Sequence, residues 1–84
     1  MSGSNFSVTP NVNVAFNCDD KNVTTAFYTN DEPVGMVAFT RPEAAALGKL
    51  IAETGVWKDS PISVSPSDLK LFGNRLRQYG ENGV

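Results

Sequence analysis

The sequence has no histidine and only one cysteine. Without imidazole, neither a His-dependent catalytic triad nor a His-ligated metal site can be assembled. One cysteine forms no intrachain disulfide and no Cys-rich zinc site, which favours a reducing compartment, and we expect the cytoplasm. We therefore expect a protein that is not an enzyme, with no catalytic residues, no metal and no cofactor.

Signals for membranes, export and nucleotides are also missing from the sequence. No apolar run approaches the ~20 residues that cross a bilayer, so we expect no membrane contact. Residues 1–5 contain neither a basic cluster nor an apolar stretch, and we expect no export signal. None of the glycine-rich phosphate-binding motifs occurs, which argues against a nucleotide site.

Basic residues are in the minority, with seven Lys and Arg against nine Asp and Glu. The chain as a whole lacks the basic footprint on which general nucleic-acid binding depends. Six of the nine acidic residues lie within residues 1–55, so this part carries the acidic excess. Eighty-four residues form one small domain. We predict a single domain over 1–84, with residues 1–5 and 81–84 frayed.

Alternating apolar residues predict the β-strands. Every even position from Phe6 to Phe16 is apolar or proline, which predicts one half-buried strand. Pro10 places that strand at a sheet edge or splits it at a bulge. Two further strands are predicted at 23–29 and 34–39. A polar linker over 18–22 precedes the first of them, and a turn over 30–33 separates the two.

A capping box predicts the start of the first helix. Thr40 and Glu43 have the required spacing, and the helix should run to about Thr54 and stop at Gly55. Three large side chains share its predicted buried face: Leu47, Leu50 and Ile51. Three small residues form a stripe beside that face: Ala44, Gly48 and Ala52. Such a smooth stripe lets another backbone approach closely.

A second cap predicts another helix near the carboxyl end. Ser65 and Asp68 have the capping spacing, and the helix should run to about Tyr79 and stop at Gly80. Its predicted buried face consists of Leu69, Phe72, Leu76 and Tyr79.

These elements predict an α+β fold. A three-stranded antiparallel meander is packed on one face by two α-helices, in the order ββ-β-α-(β)-α. Pro61–Val64 is either a short fourth strand or an extended connection. Trp57 either seals the core between the helices or anchors an interface.

Two carboxylate pairs occur in the predicted turns, Asp19 with Asp20 and Asp31 with Glu32. A seven-residue strand at ~3.3 Å per residue separates them by roughly 20 Å, so they do not form one metal or hydrolytic site. Cys18 lies in the first of these predicted loops, where no base activates it.

The scarcity of reactive groups favours a non-catalytic protein–protein interaction module. We assign partner contacts to six residues: Asp19, Asp20, Asp31, Glu32, Leu71 and Arg75. By analogy, the small size and acidity suit a phage or mobile-element inhibitor that masks a host protein. The strand, turn and helix pattern over 23–55 resembles that of many small proteins of bacteria and their phages.

Three alternatives remain open at this level. The last helix interleaves basic and aromatic residues, which allows a nucleic-acid-binding accessory protein that uses Lys70, Arg75 and Arg77. Self-association through the sheet edge or the open sheet face is also expected. Both helices pack on one face of the three-stranded sheet, so its other face is left uncovered. The uncharged side of the first predicted strand is a docking surface or a solvated face: Ser7, Thr9, Asn11 and Asn13.

Overall fold

The computed structural model describes residues 2–83 and contains a four-stranded sheet and two helices. Its elements are β1 (Ser2–Thr9), β2 (Val12–Cys18), β3 (Asn22–Thr29), β4 (Glu32–Thr40), α1 (Arg41–Thr54) and α2 (Pro66–Asn82). The sheet order is β1-β2-β3-β4, and each neighbouring pair is antiparallel. Both helices pack on the same face of the sheet. The predicted α+β class is confirmed, with an antiparallel meander covered on one face by two helices.

The first predicted strand is a hairpin of two strands, β1 and β2. Pro10 and Asn11 form its two-residue turn, so Pro10 lies outside the hydrogen-bonded ladder. Paired residues of an antiparallel ladder point to the same face, and here Phe6 pairs with Val14, so even positions face even positions. The alternation of apolar and polar residues therefore continues through the turn without a break. For this reason the sequence pattern alone does not reveal the turn. β1 is an edge strand, as expected.

The fourth strand lies at the amino end and not at Pro61–Val64, which forms no strand. Ser60 instead shapes this connection, because its Oγ accepts from the Ile62 N–H and donates to the Ile62 carbonyl. Residues 2–5, expected to be frayed, belong to β1, and residues 81–82 complete α2. Met1 and Val84 lie outside the described residues.

The start and stop of α1 are confirmed at Thr40 and Gly55. Thr40 Oγ1 accepts from the Glu43 N–H at 3.3 Å, and Glu43 Oε1 accepts from the Thr40 N–H at 2.9 Å. Gly55 ends the helix in the left-handed conformation with φ 68°.

α2 begins after Ser65, as predicted, but continues three residues beyond Tyr79 to a cap at Gly83. Gly80 is therefore inside the helix and does not stop it. A Cβ at Gly80 would collide with the backbone N of Ala45 on α1. A glycine near a helix end has the same sequence signature whether it caps the helix or admits a neighbouring backbone.

Glycines bring the backbones of α1 and α2 into direct contact. A Cβ at Gly48 would lie 2.5 Å from the backbone N of Arg77, and one at Gly73 would lie 2.6 Å from that of Ala52. The small stripe predicted on α1 thus meets a second helix, as expected. Because this stripe faces α2, α1 is turned so that Leu47 is only half-buried and Leu50 is 54% exposed. The predicted burial of Leu50 was wrong for this reason.

Aromatic rings fill the space between the sheet and the helices. The Trp57 ring stacks on Phe72 at 5.4 Å between centroids and lies 5.8 Å from Phe27. Phe16 stacks on Tyr79 at 4.8 Å and on Phe72 at 5.8 Å. Trp57 is partly buried and packs against the core, and the predicted buried face of α2 is confirmed.

We expect Gly73→Ala to destabilise the fold by about 1–3 kcal/mol, because the added Cβ forces the helices apart. Helix propensity alone has the opposite sign and favours alanine by about 1 kcal/mol. Urea unfolding followed by circular dichroism measures the difference. The exposed neighbour Asn74→Ala should shift stability by less than about 0.5 kcal/mol. A Gly73→Ala protein more stable than the wild type contradicts the close helix contact.

Candidate binding surface

One face of the sheet has no helix against it. Cross-strand pairing aligns its side chains in rows, such as Asn5, Ala15, Ala26 and Met36 across all four strands. We call ten residues on this side the open face: Asn5, Ser7, Asn13, Ala15, Asn17, Thr24, Ala26, Tyr28, Met36 and Ala38. The face exists because the alternate residues of each strand are turned inward against the helices.

None of the ten open-face residues is charged, although charged residues make up 19% of the chain. Covering this face removes no charge from water, so the desolvation cost is small. Most of its side chains are short and lose little conformational freedom when a partner covers them. Tyrosine, serine and asparagine also predominate in antibody combining sites, where they supply adaptable hydrogen bonds. The open face therefore has the chemistry of a contact surface.

A polar hollow of about 350 Å³ opens at one end of this face. Asn5, Asn13, Tyr28 and Asp31 line it. The Ser7 hydroxyl donates to Asn13 Oδ1 at 2.7 Å, which orients the Asn13 amide. The hollow offers hydrogen-bonding groups from β1, β2 and β3 together with one carboxylate.

The two acidic pairs lie at opposite ends of β3. Asp19 and Asp20 are in the β2–β3 turn, and Asp31 and Glu32 are at the β3–β4 turn. An eight-residue strand at ~3.3 Å per residue places them about 25 Å apart, as the sequence indicated. Over residues 2–83, no three side chains of the metal-ligating types come together. The acids therefore flank the sheet and do not form a joint site.

Asp19 holds the β2–β3 turn in place. Its Oδ1 accepts from the backbone N–H groups of Lys21 and Asn22, both at 2.8 Å. These two hydrogen bonds lower the pKa of the Asp19 carboxyl below its usual value. Asp19 and Asp20 are both exposed, but the Asp19 carboxylate is engaged with the backbone of its own turn.

The other two predicted contact residues lie on α2, in the helix layer. Leu71 is exposed, as expected from its place outside the buried face. The Arg75 guanidinium lies over the Phe6 ring, 4.9 Å from its centroid, and joins α2 to β1. The six predicted contact residues therefore occupy three separate places: two turns and α2, where Leu71 is exposed and Arg75 faces β1.

The three cations of the nucleic-acid alternative are only partly available. Arg75 covers Phe6, and Arg77 pairs with Glu81 at 3.2 Å along the same helix. Lys70 is exposed. The aromatic residues between them, Phe72 and Tyr79, are buried and offer no stacking surface.

Sequence reasoning found only part of the open face. Ser7 and Asn13 lie on it, whereas Thr9 and Asn11 belong to the β1–β2 turn region. It missed the contributions of the last two strands: Thr24, Ala26, Tyr28, Met36 and Ala38. The available signal in the sequence was the alternation of residues along β3. Val23, Thr25 and Phe27 point inward, so the residues between them lie on the open face.

Cys18 is also placed differently from the prediction. It is the last residue of β2, buried against α2, and its Sγ lies 3.6 Å from the Tyr79 carbonyl oxygen. It continues the inward even-numbered positions of β2 and is a core residue.

Fold and surface together define a class: a two-layer α+β protein with an uncharged open sheet face. No known family model matches the sequence, and no curated protein or solved structure shows significant similarity to it. Between residues 2 and 83, neither helix is long and apolar enough to cross a membrane.

The Asp19 turn should make stability depend on pH. A carboxyl whose pKa is lowered by folding stabilises the fold at pH values above its unfolded-state pKa of about 3.9. This stabilisation is lost as the pH falls through the lower pKa of the folded state. We expect Asp19→Asn, which keeps an acceptor oxygen, to flatten the fall in the urea midpoint below about pH 4. Asp20→Asn makes the same charge change without touching these hydrogen bonds. Equal flattening in both variants contradicts the assignment.

Proposed function

We propose that this chain is a non-catalytic protein that binds a partner protein through its open face. The observation that carries the proposal is the set of ten uncharged residues across four strands. Depletion of charge at the centre and the presence of Tyr and Met are typical of protein interfaces. The face also lies on a rigid sheet, so little order has to be gained on binding.

The acidic turns give this surface a charged border. Asp20 and Glu32 are exposed near opposite ends of the open face. Interfaces commonly have an uncharged centre and a polar rim that steers association. The partner we propose has a neutral patch of similar length bordered by basic residues.

A small inhibitor that masks a surface of another protein is the form of this function that we favour. Its action requires only a defined shape and complementary charge, and the open face with its acidic border is what would supply them. The absence of histidine and of clustered acids among the described residues also fits a role without chemistry.

The open face is tested with Ala26→Lys at the centre of β3. Ala26 lies between Ala15 and Met36, so a lysine there adds bulk and charge to the middle of the surface. We expect binding of the partner to weaken at least ~30-fold, the effect of losing an interface hot spot. The partner is captured from a lysate on immobilised wild-type protein, purified and titrated by calorimetry.

Asn74→Lys is the matched control for this experiment, because it adds the same cation to the exposed side of α2. It should bind as the wild type does. Partner binding that survives Ala26→Lys contradicts the proposal. Capture that disappears after nuclease treatment supports nucleic-acid binding instead.

The acidic border should act mainly on the rate of association. We expect Asp20→Asn combined with Glu32→Gln to slow association several-fold at low salt, and the difference from wild type to shrink as salt rises. Surface plasmon resonance against the purified partner at two ionic strengths measures it. An equal effect at both ionic strengths, or none, contradicts electrostatic steering by these two residues.

A further inference from the structure

Exposed large apolar side chains are concentrated around β4 and α1, although Met36 also belongs to the open face. Among the described residues, four of the five lie on β4, on α1 or just after α1, and the fifth is Leu71 on α2. The four are Val34, Met36, Leu50 and Val56. A groove of about 540 Å³ runs beside Leu50 and Val56 and is also lined by Leu47 and Trp57. Grouped apolar surface of this kind marks a contact site more often than scattered residues do.

The outer edge of β4 is open to another strand. Within residues 2–83, β4 pairs only with β3. The stretch Val34–Ala38 has no charged residue and no proline, which are the usual means of protecting an edge. Pro33 and the register shift between Phe27 and Tyr28, which leaves Val34 without a partner on β3, interrupt the beginning of the strand, so the regular edge is residues 35–38.

The groove and the strand edge lie on the same side of the molecule. α1 packs over β4, whereas α2 packs over β1. Trp57, which lines the groove, also contacts Phe39 of β4 at 6.3 Å between ring centroids. A chain that pairs with β4 therefore also reaches the groove.

We propose that a second copy of this chain occupies this side. The two β4 strands pair antiparallel about a two-fold axis, and the Leu47 and Leu50 side chains of the two copies pack together above the joined sheet. Antiparallel pairing of identical strands satisfies a two-fold axis directly, since the same residues face each other from both copies.

The charges on this side suit self-association. The groove is bordered by Lys58 and Asp59, one cation and one anion. In a two-fold pair whose axis passes beside these adjacent residues, Lys58 of one copy faces Asp59 of the other. The groove border therefore has no net charge, which lowers the electrostatic cost of bringing together two chains of net charge −2.

The area is also sufficient for a specific dimer. A nine-residue strand is about 30 Å long. The Cα atoms extend over 30 × 26 × 18 Å, so a side as long as this strand and as deep as the two layers covers on the order of 600 Å² per copy. The pair then buries roughly 1,200 Å², at the lower end of specific interfaces.

Leu50→Lys tests this dimer against a closely matched control, Leu71→Lys. The two leucines have similar exposure, 54% and 52%, and both lie on helices. Sedimentation equilibrium of the wild type should give twice the chain mass of 9.0 kDa. We expect Leu50→Lys to raise the dimer dissociation constant at least ~30-fold and Leu71→Lys to leave it unchanged. Circular dichroism confirms that both variants are folded.

Hydrogen exchange tests the strand pairing. Amides on the outer edge of β4 should be protected in the wild-type dimer and exchange faster in Leu50→Lys. Ala26→Lys separates this arrangement from stacking of two open faces, and we expect it to remain dimeric. The proposal is overturned by a wild type that is monomeric at high micromolar concentration, by chains longer than a dimer, by a dimer that Leu50→Lys leaves intact, or by dissociation in either Leu71→Lys or Ala26→Lys.

Discussion

Direct contact between the backbones of α1 and α2 is the constraint on which the rest of the structure depends. Gly48, Gly73 and Gly80 leave no room for a side chain between the helices. Because the small stripe of α1 must face α2, Leu50 is turned outward, on the side of β4. The core is then closed by rings from the sheet, from α2 and from Trp57. One packing requirement thus sets both the core and the exposed apolar groove.

Local signals in the sequence were sufficient for much of the fold. The capping residues Thr40 and Ser65 place the starts of both helices within one residue, since a cap depends only on its own neighbours. The β1–β2 turn was missed because the alternation of apolar residues is the same on both sides of Pro10. Gly80 was misread because its role depends on Ala45, which is distant in sequence.

The candidate surface shows the same division between local and distant information. That the acidic turns lie far apart followed from strand length alone. The open face did not, because it depends on which residues of four strands share a row, and the Val34–Phe39 run contains apolar residues on both of its sides. Arg75 illustrates the same limit, since its position over Phe6 joins the first strand to the last helix.

The contact between the two ends of the chain has a consequence for how the protein is made. The hydroxyls of Ser4 and Tyr79 are hydrogen-bonded, and Tyr79 and Phe72 cover Phe16 of the sheet. During translation the inward side of β1 and β2 has no cover until α2 has left the ribosome. The fold is therefore completed only once α2 has emerged, and until then the uncovered part of the nascent sheet is open to aggregation with other chains.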